Sequence, residues 1–389
     1  MSANLKNPFI VVGKIPAELF CDREIEATKL IHSLTNGNNV VLISPRRMGK
    51  TGLIRFCYDN EAIRDDYHTF FVDILHTSNL REFTYNLGRC IYKELVPKGK
   101  RFVKGFVQTL KSISSKVSID TLNGNPSFGI ELGDIANPEL TLEEIFRYLE
   151  HAGKPCIVSI DEFQQITHYS EKNIEALLRS HIQNMTNCCF VFAGSERSIM
   201  QEMFLSSARP FYQSADILEL ERIPFEQYAA FVTRLFEERQ RSVENETIQY
   251  VYDLFRGHTF YMQKVFNEAY SYTVIGKACN KDLIASALNT ILGDKETTYM
   301  EILSNVPEKQ KPVLYAIAAE GVAKHVTAMA FSKKYALPSA SSVQSAIRQL
   351  LDQNLITEVH KEYSVTDKFF ALWINRIYNE KYLNQLTKP

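Results

Sequence analysis

The sequence predicts an α/β fold: a central, mostly parallel sheet, then a helical region, then a small helical domain closed by a hairpin. Three observations predict it. Short apolar runs at 40–43, 67–75, 156–160, 188–193 and 217–220 alternate with helical patterns, the arrangement of βα units. From Phe225 the patterns at 225–240, 244–256, 259–274 and 280–292 are all helical. Beyond about 300, three helical patterns precede an alternating stretch at 355–366.

The 389 residues suffice for two or three domains with a sizeable core, and 45% are apolar, as in soluble globular proteins. A net charge of −1 excludes a global field drawing the chain to nucleic acid or membrane, so any such contact must be local. The seven cysteines (Cys21, Cys57, Cys90, Cys156, Cys188, Cys189, Cys279) form no C-x-x-C and mostly sit in apolar runs. They read as buried reduced thiols of a cytoplasmic protein. Neither a signal peptide nor a membrane span is expected, because no apolar run approaches the length of either.

In chain order, Asp22 is a candidate N-cap for a helix through Leu34, with Arg23 and two glutamates at its start. This segment either lies over a nucleotide base or packs as a helix with a charged face. Gly37 and its flanking asparagines turn the chain into the strand Val40-Val41-Leu42-Ile43. Then comes Ser44-Pro45-Arg46-Arg47-Met48-Gly49-Lys50-Thr51, opening a helix at Gly52. It agrees with G-x-x-x-x-G-K-[ST] at every slot but the first, where Ser44 stands. The residue types suit phosphate. Loop N–H groups and a helix N-terminus attract anions, and Gly49 permits close approach of backbone. Lys50 is placed to reach the β and γ phosphates, and Thr51 to offer a hydroxyl to Mg2+.

A strand at 67–75 and a helix at 79–95 follow. Residues 97–116 are basic: Lys98, Lys100, Arg101, Lys104, Lys111 and Lys116, interleaved with Phe102 and Phe106. They form either a nucleic-acid or partner patch or an amphipathic helix with a solvated basic face. Alternation around Asn123-Gly124 predicts a hairpin over 117–131, so that about 97–135 reads as an insertion. After a helix at 141–152, the buried strand Cys156-Ile157-Val158-Ser159-Ile160 ends in Asp161-Glu162. Downstream of a phosphate loop, that acid pair reads as a Walker B site: Asp161 for Mg2+, Glu162 to orient or deprotonate water. Adjacent acids also occur on solvated turns. The intervening strand at 67–75 and the second acid together indicate the additional-strand class of P-loop proteins.

The strand 188–193 ends in Gly194-Ser195, where Ser195 is a candidate for contact with the γ-phosphate or the water, or simply a turn serine. Arg209, just before the last strand, is either a surface residue or an arginine finger, in cis or in trans. In the helical region, Gly257-His258-Thr259-Phe260-Tyr261 opens a helix. His258 and Tyr261 either close over adenine and ribose as part of a lid or pack within a helix–helix turn. At the C-terminal end, helices at 307–320, 328–335 and 341–353 and a two-stranded wing at 355–366 suggest a winged helix-turn-helix. Residues 307–389 hold 11 Lys/Arg against 7 Asp/Glu, but helix three has only Arg348 as a cation. Lys333, Lys334, Arg348 and Lys361 make a modest patch for DNA or for a protein partner.

Four motifs together resemble the archaeal-type ATPases of the STAND/AAA+-related P-loop class. They are Phe20-Cys21-Asp22-Arg23-Glu24-Ile25-Glu26, Pro45 to Thr51, Asp161-Glu162-Phe163-Gln164, and Gly257 to Tyr261. The tail from Tyr363 through Asp367 to Trp373 is similar to that family's ending as well. The chain departs from the family pattern at Asp22, Ser44 and Thr259. The resemblance implies ATP or ADP, Mg2+, a helical lid and a winged helix, without fixing a biological role. The expected organisation is an ATPase core over 1–224, a lid over 225–298 and a winged helix over 299–389. Its expected activity is a nucleotide switch with possible nucleotide-dependent self-assembly; the alternatives are a DNA-binding regulator and a nucleotide-holding partner switch.

Overall fold

The computed structural model describes residues 7–13, 15–21, 23–116 and 131–378. The expected Asp22 cap and nearly all of the expected hairpin at 117–131 lie outside them. The chain forms two compact units, one of residues 14–222 and one combining 1–13 with 223–389.

In the 14–222 unit, five strands make one parallel sheet: β1 (Val40–Ile43), β2 (His68–Asp73), β3 (Cys156–Asp161), β4 (Cys188–Gly194) and β5 (Asp216–Glu219). Their order is β2-β3-β4-β1-β5. β4, rather than the expected strand at 67–75, therefore stands between the phosphate-loop strand and the acid-bearing strand, which is the additional-strand arrangement; β2 lies at the sheet edge beside β3. Val40 is in register with Val191, and Cys156 with Cys188. Burial explains the order. The inner strands β1, β3 and β4 are buried at every residue, so both faces must be apolar and the sequence runs continuously hydrophobic. β2 alternates and β5 is partly exposed, as befits edges.

Helices cover both faces: α1 (Glu24–Thr35), α2 (Lys50–Tyr58), α3 (Glu61–Arg64), α4 (Leu80–Leu95), α5 (Lys100–Thr109), α6 (Pro138–Glu150), α7 (Ile174–Ile182) and α8 (Arg197–Leu205). Alternate residues of β1 serve the two faces. Val40 and Leu42 join α1, α2 and α3 in one core, whereas Val41 and Ile43 join α4, α5 and α6 in the other. Asn79 and Asn137 cap α4 and α6 through their side chains. The basic stretch is amphipathic: Val103, Phe106, Leu110 and Ile113 are buried, while Lys104 and Lys111 face solvent. Lys98 is exposed, with its Nζ 2.8 Å from Nδ1 of the buried His68 and over the Phe70 ring.

The second unit holds α9 (Phe225–Glu237), α10 (Asn245–Phe255), α11 (Thr259–Tyr272), α12 (Lys281–Asp294) and α13 (Glu296–Ser304), with a short parallel pair β6 (Ser242–Val243) and β7 (Ala278–Cys279). Phe9 is fully buried among Phe236, Phe266 and Tyr270. Asn7 donates to the Asn267 carbonyl, and the Asn267 amide donates to the Phe9 carbonyl, both at 2.7 Å. This N-terminal strap was not expected from the sequence.

The winged helix consists of α14 (Lys311–Glu320), β8 (Ala323–Lys324), α15 (Met329–Lys334), α16 (Ala340–Asp352), β9 (Ile356–Val359), β10 (Glu362–Val365) and α17 (Lys368–Tyr378). Ser339 caps α16, accepting from Ser342 N. The wing sheet has three strands, β8-β10-β9, where two were expected. The third, β8, is a two-residue strand whose Ala323 pairs with Tyr363, too short for any periodicity to reveal. α17 was likewise unassigned; it buries Phe369, Phe370, Leu372, Trp373 and Ile374. Phe369 meets Phe255 at 5.4 Å and Tyr261 at 5.0 Å, so the helices of 225–304 and the winged helix share one core. Among the described residues, no helix is long and apolar enough to cross a membrane.

Candidate functional site

The strand ends of β1, β3 and β4 place the predicted polar residues side by side. After β1 the loop turns through two left-handed residues, Arg47 (φ 67°) and Gly49 (φ 91°). Gly49 sits at the N-cap of α2 and has no side chain to occupy the first helical N–H groups, which leaves them aimed into the loop. Ser44 does not adopt positive φ, so its Cβ imposes no backbone strain. It is buried; its N–H donates to the Gly194 carbonyl and its hydroxyl to the Pro45 carbonyl, each at 3.1 Å. Pro45 and Arg47 are exposed, and Met48 is buried. Arg23 pairs with Glu26 at 2.6 Å and reaches the Met48 carbonyl at 3.4 Å, tying the start of α1 to the loop. A Cβ on Gly52 would stand 3.3 Å from Phe20, whose ring stacks on Phe56; the glycine makes room for that stack.

Lys50 Nζ lies 2.8 Å from Asp161 Oδ1 and 3.5 Å from Glu162 Oε1. Thr51 donates its hydroxyl to Asp161 Oδ2 at 2.9 Å. Glu162 is itself left-handed (φ 56°), an uncommon conformation for a non-glycine residue and a feature of strained functional positions. Its Oε2 accepts from Ser195 Oγ at 2.5 Å and from Gln164 Nε2 at 2.6 Å. Arg46 Nε in turn donates to Ser195 Oγ at 3.4 Å. Burial opposes charge on Glu162, but Lys50, the Ser195 and Gln164 hydrogen bonds and Arg46 outweigh it and hold the carboxyl below its ordinary value.

A hydroxyl and a carboxylate oxygen held together, on different elements, are hard donors of the kind Mg2+ prefers. Thr51 and Asp161 therefore fit that ion, and the ammonium of Lys50 now supplies the positive charge beside them.

The remaining predicted residues have partners of their own. Arg209 pairs with Glu175 at 2.5 Å and with Glu202 at 3.3 Å. In the other unit, His258 occupies the N-cap position of α11, its Nδ1 2.8 Å from the Phe255 carbonyl. Tyr261 is 1% exposed, stacks on Phe255 at 5.6 Å and donates its hydroxyl to the Thr366 carbonyl at 3.2 Å. Gln164 was quoted in a motif but given no role by sequence. Its contact with Glu162 follows from the left-handed turn between them, which no periodicity signals.

Fold and site together define the class: a P-loop ATPase core joined to a helical unit and a winged helix. The chain belongs to the family described as the ATPase domain predominantly from Archaea, whose model matches residues 20–265. Residues 297–376 match a model described as a probable winged helix domain. An uncharacterized ATP-binding protein of Methanocaldococcus jannaschii is 28% identical over 158 residues, 38% of this chain and 43% of that protein. Among solved structures, a Walker-type ATPase of Pyrococcus abyssi is similar with a TM-score of 0.64 at 19% identity, over 95% of this chain and 99% of that one. The ORC2 protein of Aeropyrum pernix, in ADPNP and ADP complexes, is similar with a TM-score of 0.57 at 14% identity, over 98% of both chains. At these identities the structural likeness shows the fold, while the family match makes this an ATP-binding chain of the ATPase class.

Proposed function

We propose that this chain is an Mg2+-dependent, ATP-hydrolysing switch that couples nucleotide state to movement of the lid and winged helix. The observation that supports the reading is the Lys50, Thr51, Asp161, Glu162 and Ser195 cluster at adjoining strand ends. Loop N–H groups from Arg46 to Thr51 and the α2 N-terminus bind the phosphates. Lys50 exchanges its carboxylate partners for the β and γ phosphate oxygens. Thr51 and Asp161 hold Mg2+, which when bound neutralises charge developing on the phosphates. Glu162 orients a water and accepts its proton as the water oxygen bonds to the γ-phosphorus. The bond from that phosphorus to the β–γ bridging oxygen breaks, and ADP leaves with the electron pair. Ser195 steadies Glu162. Arg209 joins this scheme as a finger only by giving up Glu175 and Glu202.

Glu162→Gln should lower steady-state hydrolysis by about 10²-fold or more while ADP still binds. Lys50→Ala should weaken nucleotide binding as well as turnover. Wild-type turnover in both variants would sink the reading.

A second reading, a DNA-binding regulator that uses nucleotide for assembly, rests on the winged helix. Lys333, Arg348 and Lys361 are exposed, whereas Lys334 is engaged by Glu320 at 2.6 Å. An ORC1 protein of Aeropyrum pernix with the same overall fold (TM-score 0.52, 13% identity, 98% of both chains) was solved in complex with DNA. DNA affinity titrated against salt tests it: a few phosphate contacts give a shallow negative slope, and no binding at low salt removes the reading. The same titration, run with ATP and with ADP while molecular mass is followed, tests self-assembly and the nucleotide-holding alternative.

A further inference from the structure

Gln164 is 1% exposed, and its buried Oε1 has no hydrogen-bond partner among the described residues. An orphaned buried carbonyl is costly and uncommon, so the other half of the amide must matter. Nε2 has two hydrogens and two acceptors: Glu162 Oε2 at 2.6 Å and Ser195 Oγ at 3.4 Å. Ser195 Oγ also accepts from Arg46, and so spends its own proton on Glu162 Oε2 at 2.5 Å. The donor directions are thus consistent all round the cluster, and they converge on one carboxylate oxygen.

The neighbouring chain is shaped to allow this. A Cβ on Gly194 would stand 2.7 Å from Gln164 Oε1 and 2.5 Å from the Met200 side chain. Any larger residue at the end of β4 would push the amide away. Two strained or restricted positions, left-handed Glu162 and Gly194, therefore place one amide. With Oε2 doubly held, Oε1 is the oxygen left facing Lys50, at 3.5 Å. Lys50 is the group that phosphate would draw away.

We propose that Gln164 is a positioning residue for hydrolysis: with Ser195 it pins Oε2 of Glu162, so that Oε1, released when Lys50 turns to phosphate, receives the proton of the attacking water. This rests on the reading of Glu162 as the proton acceptor. Gln164 and Ser195 keep the carboxylate oriented, and Lys50 is the ligand-sensitive third contact.

The test uses the full chain with Gln164→Met, which keeps length and apolar volume but loses the donor, and with Gln164→Glu, which keeps shape but adds a like charge. Turnover should fall about 10-fold or more in Gln164→Met, and further in Gln164→Glu, while KM for ATP and the ADP dissociation constant measured by calorimetry stay within about 2-fold. Wild-type kcat in both variants, or a fall in ADP affinity parallel to the fall in kcat, overturns the positioning role. Should Gln164→Met not fold, Ser195→Ala is expected to lower kcat with ADP affinity kept, and wild-type kcat there counts equally against it. Wild-type turnover in Glu162→Gln, by contrast, removes the proton-acceptor reading itself, whereas a large loss there beside wild-type turnover in Gln164→Met removes the positioning role alone.

Discussion

At the ends of β1, β3 and β4, polar atoms hold one another; where the lid meets the winged helix, rings do. Lys50, Asp161, Glu162, Ser195 and Gln164 lie within 3.5 Å of their partners through ammonium, carboxylate, hydroxyl and amide. Phe255, Tyr261 and Phe369 meet at centroid distances of 5.0–5.6 Å, and Tyr299, Phe370 and Trp373 continue the seam. On the proposed reading the first arrangement exchanges partners, a phosphate oxygen replacing a carboxylate at Lys50 with little change in shape. The second cannot, because apolar contacts have no equivalent substitute and a gap costs both transfer energy and packing. The molecule thus keeps its exchangeable contacts at strand ends and its fixed contacts at the seam.

The largest expected effect breaks the fixed side. Phe369→Ala should cost about 3–5 kcal/mol of stability, the range for large aromatic deletions in a core. Urea unfolding of the full chain measures it. Glu162→Gln under the same conditions should change stability far less than it changes turnover. A Phe369→Ala loss below about 1 kcal/mol would mean that the lid and winged helix do not share a core at this point.

A mid-sized effect sharpens the polar side, because not every buried polar pair in the sheet is exchangeable. At the start of β2, burial and then the Lys98 and Lys154 cations push the His68 imidazole down to about 4, and its Nε2 has no partner among the described residues. The sign follows from linkage. The folded state prefers neutral His68, so its contribution is fully present above the unfolded value near 6.5 and is lost as pH falls toward 4. Between about pH 6.5 and 5, where few carboxylates titrate, the urea midpoint should therefore fall in wild type and stay flatter in His68→Leu. Parallel curves for the two proteins would show that His68 does not govern that window.

These contrasts also explain what the sequence could show. β1, β3 and β4 were legible because strands buried on both faces must be apolar throughout, and the loop after β1 because phosphate chemistry restricts its residues. Ser195 was legible from its place at a strand end. Gln164 was not: its role depends on a left-handed Glu162 and on the empty space at Gly194, both properties of three-dimensional placement. β8 is too short to show periodicity, and the Phe9 strap joins residues some 260 positions apart in sequence. Helix α17 had a signal, five buried apolar residues within 369–374, but that run is apolar at every position until Asn375, so no helical period shows within it.

The smallest expected effect concerns Tyr261, where sequence left two roles open, a contact to adenine or ribose and a core aromatic. Its ring stacks on Phe255 with an interplanar angle of 8°, and its hydroxyl donates to the Thr366 carbonyl at 3.2 Å. Tyr261→Phe keeps the ring and removes one hydrogen bond, so stability should fall by about 0.5–1.5 kcal/mol. ADP affinity should stay within about 2-fold, since the hydroxyl is committed to a backbone carbonyl on the winged-helix side of the seam. The opposite pattern, unchanged stability with a tenfold loss of ADP affinity, would move Tyr261 from the fixed contacts to the exchangeable ones. Because the substitution changes a single oxygen, either result assigns that oxygen to one side of the comparison.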